Sequence, residues 1–85
     1  EEFVVVMPDT DIGYAMSVAE RLRQNVAMKP FTLDEEGRTI DVTVSIGIAV
    51  THGPADDAGK LLERADQGLY RAKRDGRNRV VAEAA

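Results

Sequence analysis

The chain contains no cysteine. Disulfides and thiolate metal sites are therefore excluded, and a reducing cytoplasm is the compartment expected. There is no tryptophan, and aromatic residues make up only 5% of the chain, so stacking platforms for single-stranded nucleic acid are not available. The one histidine, His52, has no partner pattern around it and receives no role. No apolar run approaches the ~20 residues that a membrane span requires. No signal peptide is visible, because the chain opens on two acids followed by a strand-like run. Net positive charge is also missing. The balance is −4, which argues against bulk attraction to nucleic acid or to an anionic membrane.

What is present is the composition of a globular protein, 44% apolar and 31% charged over 85 residues. That length allows a single domain with a modest core. Neither repeats nor linker-like segments interrupt it.

Local patterns give the elements. Phe3-Val4-Val5-Val6-Met7 is an unbroken apolar run, the pattern of a strand buried on both faces. Pro8-Asp9-Thr10-Asp11 stops it and offers helix N-caps. Ile12, Ala15, Met16, Ala19, Leu22 and Val26 then fall at three- and four-residue steps, one stripe of a helix that Lys29-Pro30 terminates. Phe31-Thr32-Leu33 is a short strand, and Asp34 to Arg38 reads as a hairpin turn.

From Ile40 to Val50 aliphatics alternate with polar or small residues, which predicts one long strand with a strongly buried face. Gly47 and Ala49 on its other face would admit a closely packed helix or a ligand, and helix packing is the commoner cause. A loop containing His52 and Pro54 follows. Ala58, Leu61, Leu62, Ala65, Leu69 and Ala72 mark a second helix with Gly76 as its C-cap glycine, and Arg79 to Ala82 is a last strand. The expected fold is α/β (α+β), in the order β-α-β-β-α-β, with helices packed on a mainly antiparallel sheet.

Two groups of residues have chemical potential. Lys73 lies in the last turn of the second helix and Arg77 just past its glycine. Such a pair can converge on one anion, the lysine as a mobile point charge and the arginine as a planar fork. Basic residues also favour helix C-termini simply through the dipole. Glu1 and Glu2 are adjacent carboxylates before a strand, oxygen donors of the kind Mg²⁺ takes. Exposed acids are equally ordinary at a chain end.

The order of motifs resolves these ambiguities. Residues 65–78 read ADQGLYRAKRDGRN and resemble the C-terminal signature A-D-x-A-L-Y-x-A-K-x-x-G-R-N of GGDEF domains. Val44 to Ala49 resembles that family's long strand. Glu1-Glu2-Phe3-Val4-Val5 with Met7-Pro8 resembles the strand after the paired glycines of a G-G-E-E-F signature, and Ala19 to Arg23 the helix after it. Four motifs in one order cover essentially the whole chain. They are most similar to receiver-linked response-regulator cyclases.

The resemblance implies a diguanylate cyclase domain, 1–85 being the C-terminal part of a single GGDEF domain. Two such domains would face each other as an antiparallel homodimer and condense two GTP into cyclic di-GMP, releasing two pyrophosphates. The implied cofactor is Mg²⁺, two per GTP site, with Mn²⁺ as a substitute. Glu1 would coordinate the metal and help activate the attacking hydroxyl, and Glu2 would support the metal site. A carboxylate bound to Mg²⁺ is a poor general base at neutral pH, which favours the ligand role for Glu1. Lys73 and Arg77 would hold the GTP phosphates, and Arg21 would be a secondary contact for inhibitory product.

No position in this chain matches the paired glycines, a further metal aspartate, the guanine-recognising residues or the primary inhibitory R-x-x-D motif. These 85 residues alone are accordingly expected to be inactive. The other reading implied is a catalytically degenerate module that serves as a receptor for nucleotide or cyclic di-GMP. The expected partners are GTP, a second GGDEF domain and an upstream receiver or other sensory domain, with no nucleic acid and no membrane contact. Tyr70 and Asp66 belong to the motif as a packing residue and a helix-surface acceptor.

Overall fold

The computed structural model describes residues 7, 10–51, 53–54 and 56–82. The expected strand Phe3–Met7 lies outside them except for Met7, which is in no strand but packs against the core.

Helix α1 spans Ile12–Met28. Asp11 caps it, its carboxylate accepting from the Tyr14 amide at 2.8 Å, which satisfies one of the N–H groups a helix start leaves unpaired. Lys29 closes it in an extended conformation, φ −126° and ψ 124°, as the following proline demands. Strands β1 (Phe31–Thr32) and β2 (Thr39–Ile40) form the expected hairpin, Phe31 opposite Ile40. Its turn is tied by Asp34, whose carboxylate accepts from the Glu36 amide at 3.0 Å. Strand β3 spans Ile46–Ile48, α2 spans Ala58–Arg74 and β4 spans Val80–Ala82. Asp57 caps α2 through the Lys60 amide at 2.7 Å.

The long strand expected from Ile40 to Val50 is divided. Thr39–Ile40 pairs in the hairpin, Ile46–Ile48 pairs with β4, and residues 41–45 are in no strand. Alternation reports which side chains share a face. It does not report whether a second strand lies alongside, and the hydrogen-bonded partner makes the strand. Among the described residues one ladder is antiparallel, β1–β2, and the other parallel, β3–β4 with Ile46 opposite Val80.

The two helices take opposite faces of the parallel ladder. Ile48 joins Ala15 and Ala19 of α1 in a buried cluster, with Ile46, Val80 and Ala82 packed around it. Gly47, one residue out of phase and so on the other face, lies directly against α2. A Cβ at Gly47 would overlap the Ala65 carbonyl and the Leu69 amide. Gly47 therefore serves helix packing, the expected cause. The β3–α2–β4 unit is thus a parallel pair with its connecting helix on one face, and α1 covers the other.

Candidate functional site

The C-terminal end of α2 is built as a corner. Asp75 ends the helix. The Arg77 amide donates to the Ala72 carbonyl at 2.8 Å and the Gly76 amide to the Lys73 carbonyl at 3.5 Å, with Gly76 at φ 123°. These two bonds make a Schellman motif, and the glycine supplies the left-handed residue it requires. The next two residues stay left-handed although neither is glycine: Arg77 at φ 66° and Asn78 at φ 49°. Non-glycine residues adopt that region at a cost and hold it where surrounding contacts enforce it.

Those contacts are specific. The Asn78 amide donates to the Ser45 hydroxyl at 3.1 Å, tying the corner to the residue before β3. Arg79 Nε donates to the Arg77 carbonyl at 3.1 Å. Arg23 of α1 donates through Nη1 to Asn78 Oδ1 at 2.8 Å. Arg23 itself is held by Glu20, Nε donating to both carboxylate oxygens at 3.0 and 3.1 Å and Nη2 donating to Oε1. The Arg23 hydrogen bond holds the Glu20 carboxyl below the usual carboxylate range, against the opposing effect of burial. The same pairing raises Arg23 above its ordinary value.

The corner places two cations on the wall of one groove. Lys73, half-buried, and Arg77, exposed, both line an open groove of about 1800 Å³ bounded by α1, β3 and α2. Most of its remaining lining is apolar, including Leu22 and Leu62, whose residues are 50% and 49% exposed. A low-dielectric wall beside two cations strengthens their attraction for an anion.

The other sequence candidates are distributed differently. Glu1 and Glu2 lie outside the described residues, and among the described residues no group of three or more His, Asp or Glu could hold a metal ion. Arg21 is exposed on α1 and does not line the groove. Tyr70 is 65% exposed rather than packed, because Gly68 and Ala72 occupy the buried face of α2 and Tyr70 projects from the outer one. With Asp66, Gln67, Arg71 and Arg74 it borders a shallow depression of about 350 Å³. His52 lies outside the described residues.

Arg23, Ser45 and Asn78 received no role from sequence. All three lie inside recognised motifs, which was the available signal. Arg64 was also missed. Its guanidinium donates to the Val50 carbonyl at 2.9 Å and to both oxygens of Asp56, joining the end of the third strand segment to the start of α2. The Asp56 hydrogen bond raises Arg64 above its ordinary value.

The same arrangement of helices and strands is found in solved GGDEF domains. The GGDEF domain of DgcB from Caulobacter crescentus, solved in complex with c-di-GMP, superposes with a TM-score of 0.85 at 30% identity, over 93% of this chain and 45% of that one. The profile of the family described as "Diguanylate cyclase, GGDEF domain" matches residues 1–79, and the chain belongs to that family. Response regulator PleD of Caulobacter vibrioides is 49% identical over all 85 residues, which are 19% of its length. Diguanylate cyclase A of Treponema denticola is 44% identical over 81 residues, 95% of this chain and 21% of that protein. The chain thus spans about a fifth of these curated relatives.

Proposed function

We propose that this chain is the C-terminal part of a GGDEF domain that condenses two GTP into cyclic di-GMP. The observation that carries the proposal is that Lys73 and Arg77, at the end of α2, both line one groove. A triphosphate is the ligand that a point-charge ammonium and a forked guanidinium together fit. Family membership supplies the reaction class. Each 3′-oxygen forms a bond to the α-phosphorus of the facing nucleotide, the α–β phosphoanhydride bond breaks, pyrophosphate leaves and the hydroxyl proton is lost. Such transfers rest on positioning and on neutralising charge more than on covalent help from the protein.

Lys73 and Arg77 would hold phosphate oxygens in this scheme, while the Glu1 and Glu2 carboxylates are the hard oxygen donors suited to Mg²⁺. The metal, when bound, would neutralise phosphate charge. The scheme requires a second GGDEF domain as partner. The response regulator among the relatives supports an upstream receiver domain. None of the described helices is long and apolar enough to cross a membrane, and a cytoplasmic GTP pool is the compartment that fits. Arg21, exposed on α1 apart from the groove, is available as a separate contact for product.

We also assign the apolar groove to the upstream half of the same domain. Exposed Leu22 of α1 and Leu62 of α2, both lining the groove, are the surface that another part of one hydrophobic core would cover. The matched DgcB chain is about twice as long as the segment aligned. The domain extended upstream, with Mg²⁺ and GTP, should yield cyclic di-GMP and lose that activity on Glu1→Ala. Absence of product under dimerising conditions would refute the enzymatic reading.

A further inference from the structure

Arg77 stands just past the end of α2, its amide bonded to the Ala72 carbonyl of that helix. The helix has ended, and the two residues 77 and 78 persist in a left-handed conformation that an arginine and an asparagine do not favour. Besides the bond to Ala72, three further contacts keep them there, each from a different direction. Ser45 accepts the Asn78 amide, Arg79 fixes the Arg77 carbonyl, and Arg23 holds the Asn78 side chain from α1. The Arg23 contact joins residues 55 positions apart and is the one from the opposite layer of the fold. Its donor is pre-oriented, because Glu20 occupies Nε and Nη2 and leaves Nη1 directed at Asn78.

We propose that Arg23 is a positioning residue for phosphate binding, acting through Asn78 to hold the backbone that presents Arg77. The inference rests on the assignment of Lys73 and Arg77 to GTP phosphates and adds a residue that lines no part of the groove. A guanidinium fork clamped at one end by a carboxylate is rigid, so its remaining N–H fixes Asn78 in a single place. The strained corner is then held in advance of ligand arrival, and less ordering cost falls on binding.

The test is a mutant cycle on the intact domain, with GTP binding read by calorimetry in the presence of Ca²⁺ to prevent turnover. Arg77→Ala should weaken GTP binding roughly tenfold or more. Arg23→Ala should weaken it several-fold in the parent, and by less than about twofold once Arg77 is already alanine. Asn78→Gly removes the acceptor while tolerating the left-handed backbone. It should reproduce the Arg23→Ala loss and should not add to it. Arg23→Lys, which keeps one donor, should recover part of the affinity. Circular dichroism melts confirm that each variant is folded at the assay temperature.

Equal losses from Arg23→Ala with and without Arg77 would show that Arg23 acts independently and would overturn the inference. So would an unchanged affinity in folded Arg23→Ala when Arg77→Ala binds weakly, and in that case the phosphate assignment would stand. If Arg77→Ala itself binds GTP normally, the phosphate assignment fails and the inference falls with it.

Discussion

Gly47 of β3 and Gly68 of α2 meet backbone to backbone: a Cβ built on Gly68 would lie 3.3 Å from the Gly47 Cα and 2.8 Å from the Val81 carbonyl oxygen. This contact sets how closely the crossover helix lies on the parallel ladder. It therefore also sets where the end of that helix, with Lys73, stands relative to the groove.

The two glycines should respond unequally to alanine. At Gly47 a methyl would collide with main-chain atoms of α2 that cannot move without displacing the helix. Overpacking of this kind costs about 1–3 kcal/mol, and the upper end applies. At Gly68 the crowding is milder, and alanine gains roughly 1 kcal/mol of helix propensity in return. Alanine also stands at that place in the A-D-x-A-L-Y signature. Urea unfolding of the intact domain should therefore rank Gly47→Ala well below Gly68→Ala, with Gly68→Ala within about 1–2 kcal/mol of the parent.

The Glu20–Arg23 pair predicts a pH effect of defined sign. Glu20 is held below its ordinary value of 4.5 by the Arg23 hydrogen bond. A carboxylate lowered on folding stabilises the fold fully above its unfolded value, and that contribution disappears as pH falls through the lowered folded value. Stability should thus fall in acid, and Glu20→Gln should remove that part of the dependence. The difference in urea midpoint between parent and Glu20→Gln should be largest near neutrality and shrink below about pH 4. A difference independent of pH would contradict the pairing.

The apolar groove makes a different kind of prediction. Leu62 is about half exposed in these 85 residues, and charge placed there should matter little to them alone. In the domain with its upstream half, the same position is assigned to the core. Leu62→Lys should then lower stability by about 2–5 kcal/mol, the range for a large apolar core side chain lost together with burial of a charge. Thermal melts of the short and extended chains, each with and without the substitution, compare the two. Equal tolerance in both would remove the upstream half from that surface.

Much of the local structure was legible because single residues carry it. Asp11 caps its helix, Pro30 forces Lys29 to be extended, and Gly76 provides the Schellman turn. The division of the long strand was not legible. Ile40 and Ile46 obey the same alternation, and only their different partners, Phe31 and Val80, separate them. Of the candidate site, Lys73 and Arg77 were named from sequence and stand on one groove. The bond from Arg23 to Asn78 spans two elements on opposite sides of the ladder, and no local spacing encodes it. Tyr70, expected to pack as a member of the motif, lies instead on the exposed side of α2, away from the face that Gly68 and Ala72 bury.

The central claim is that the corner after α2 is a phosphate site, and the most direct measurement compares GTP with guanosine on the intact domain. Lys73→Ala and Arg77→Ala should each weaken GTP binding by roughly tenfold to a hundredfold, the range for a lost charge-assisted hydrogen bond, and leave guanosine binding unchanged. Equal losses for GTP and guanosine, or no loss for either, would contradict it.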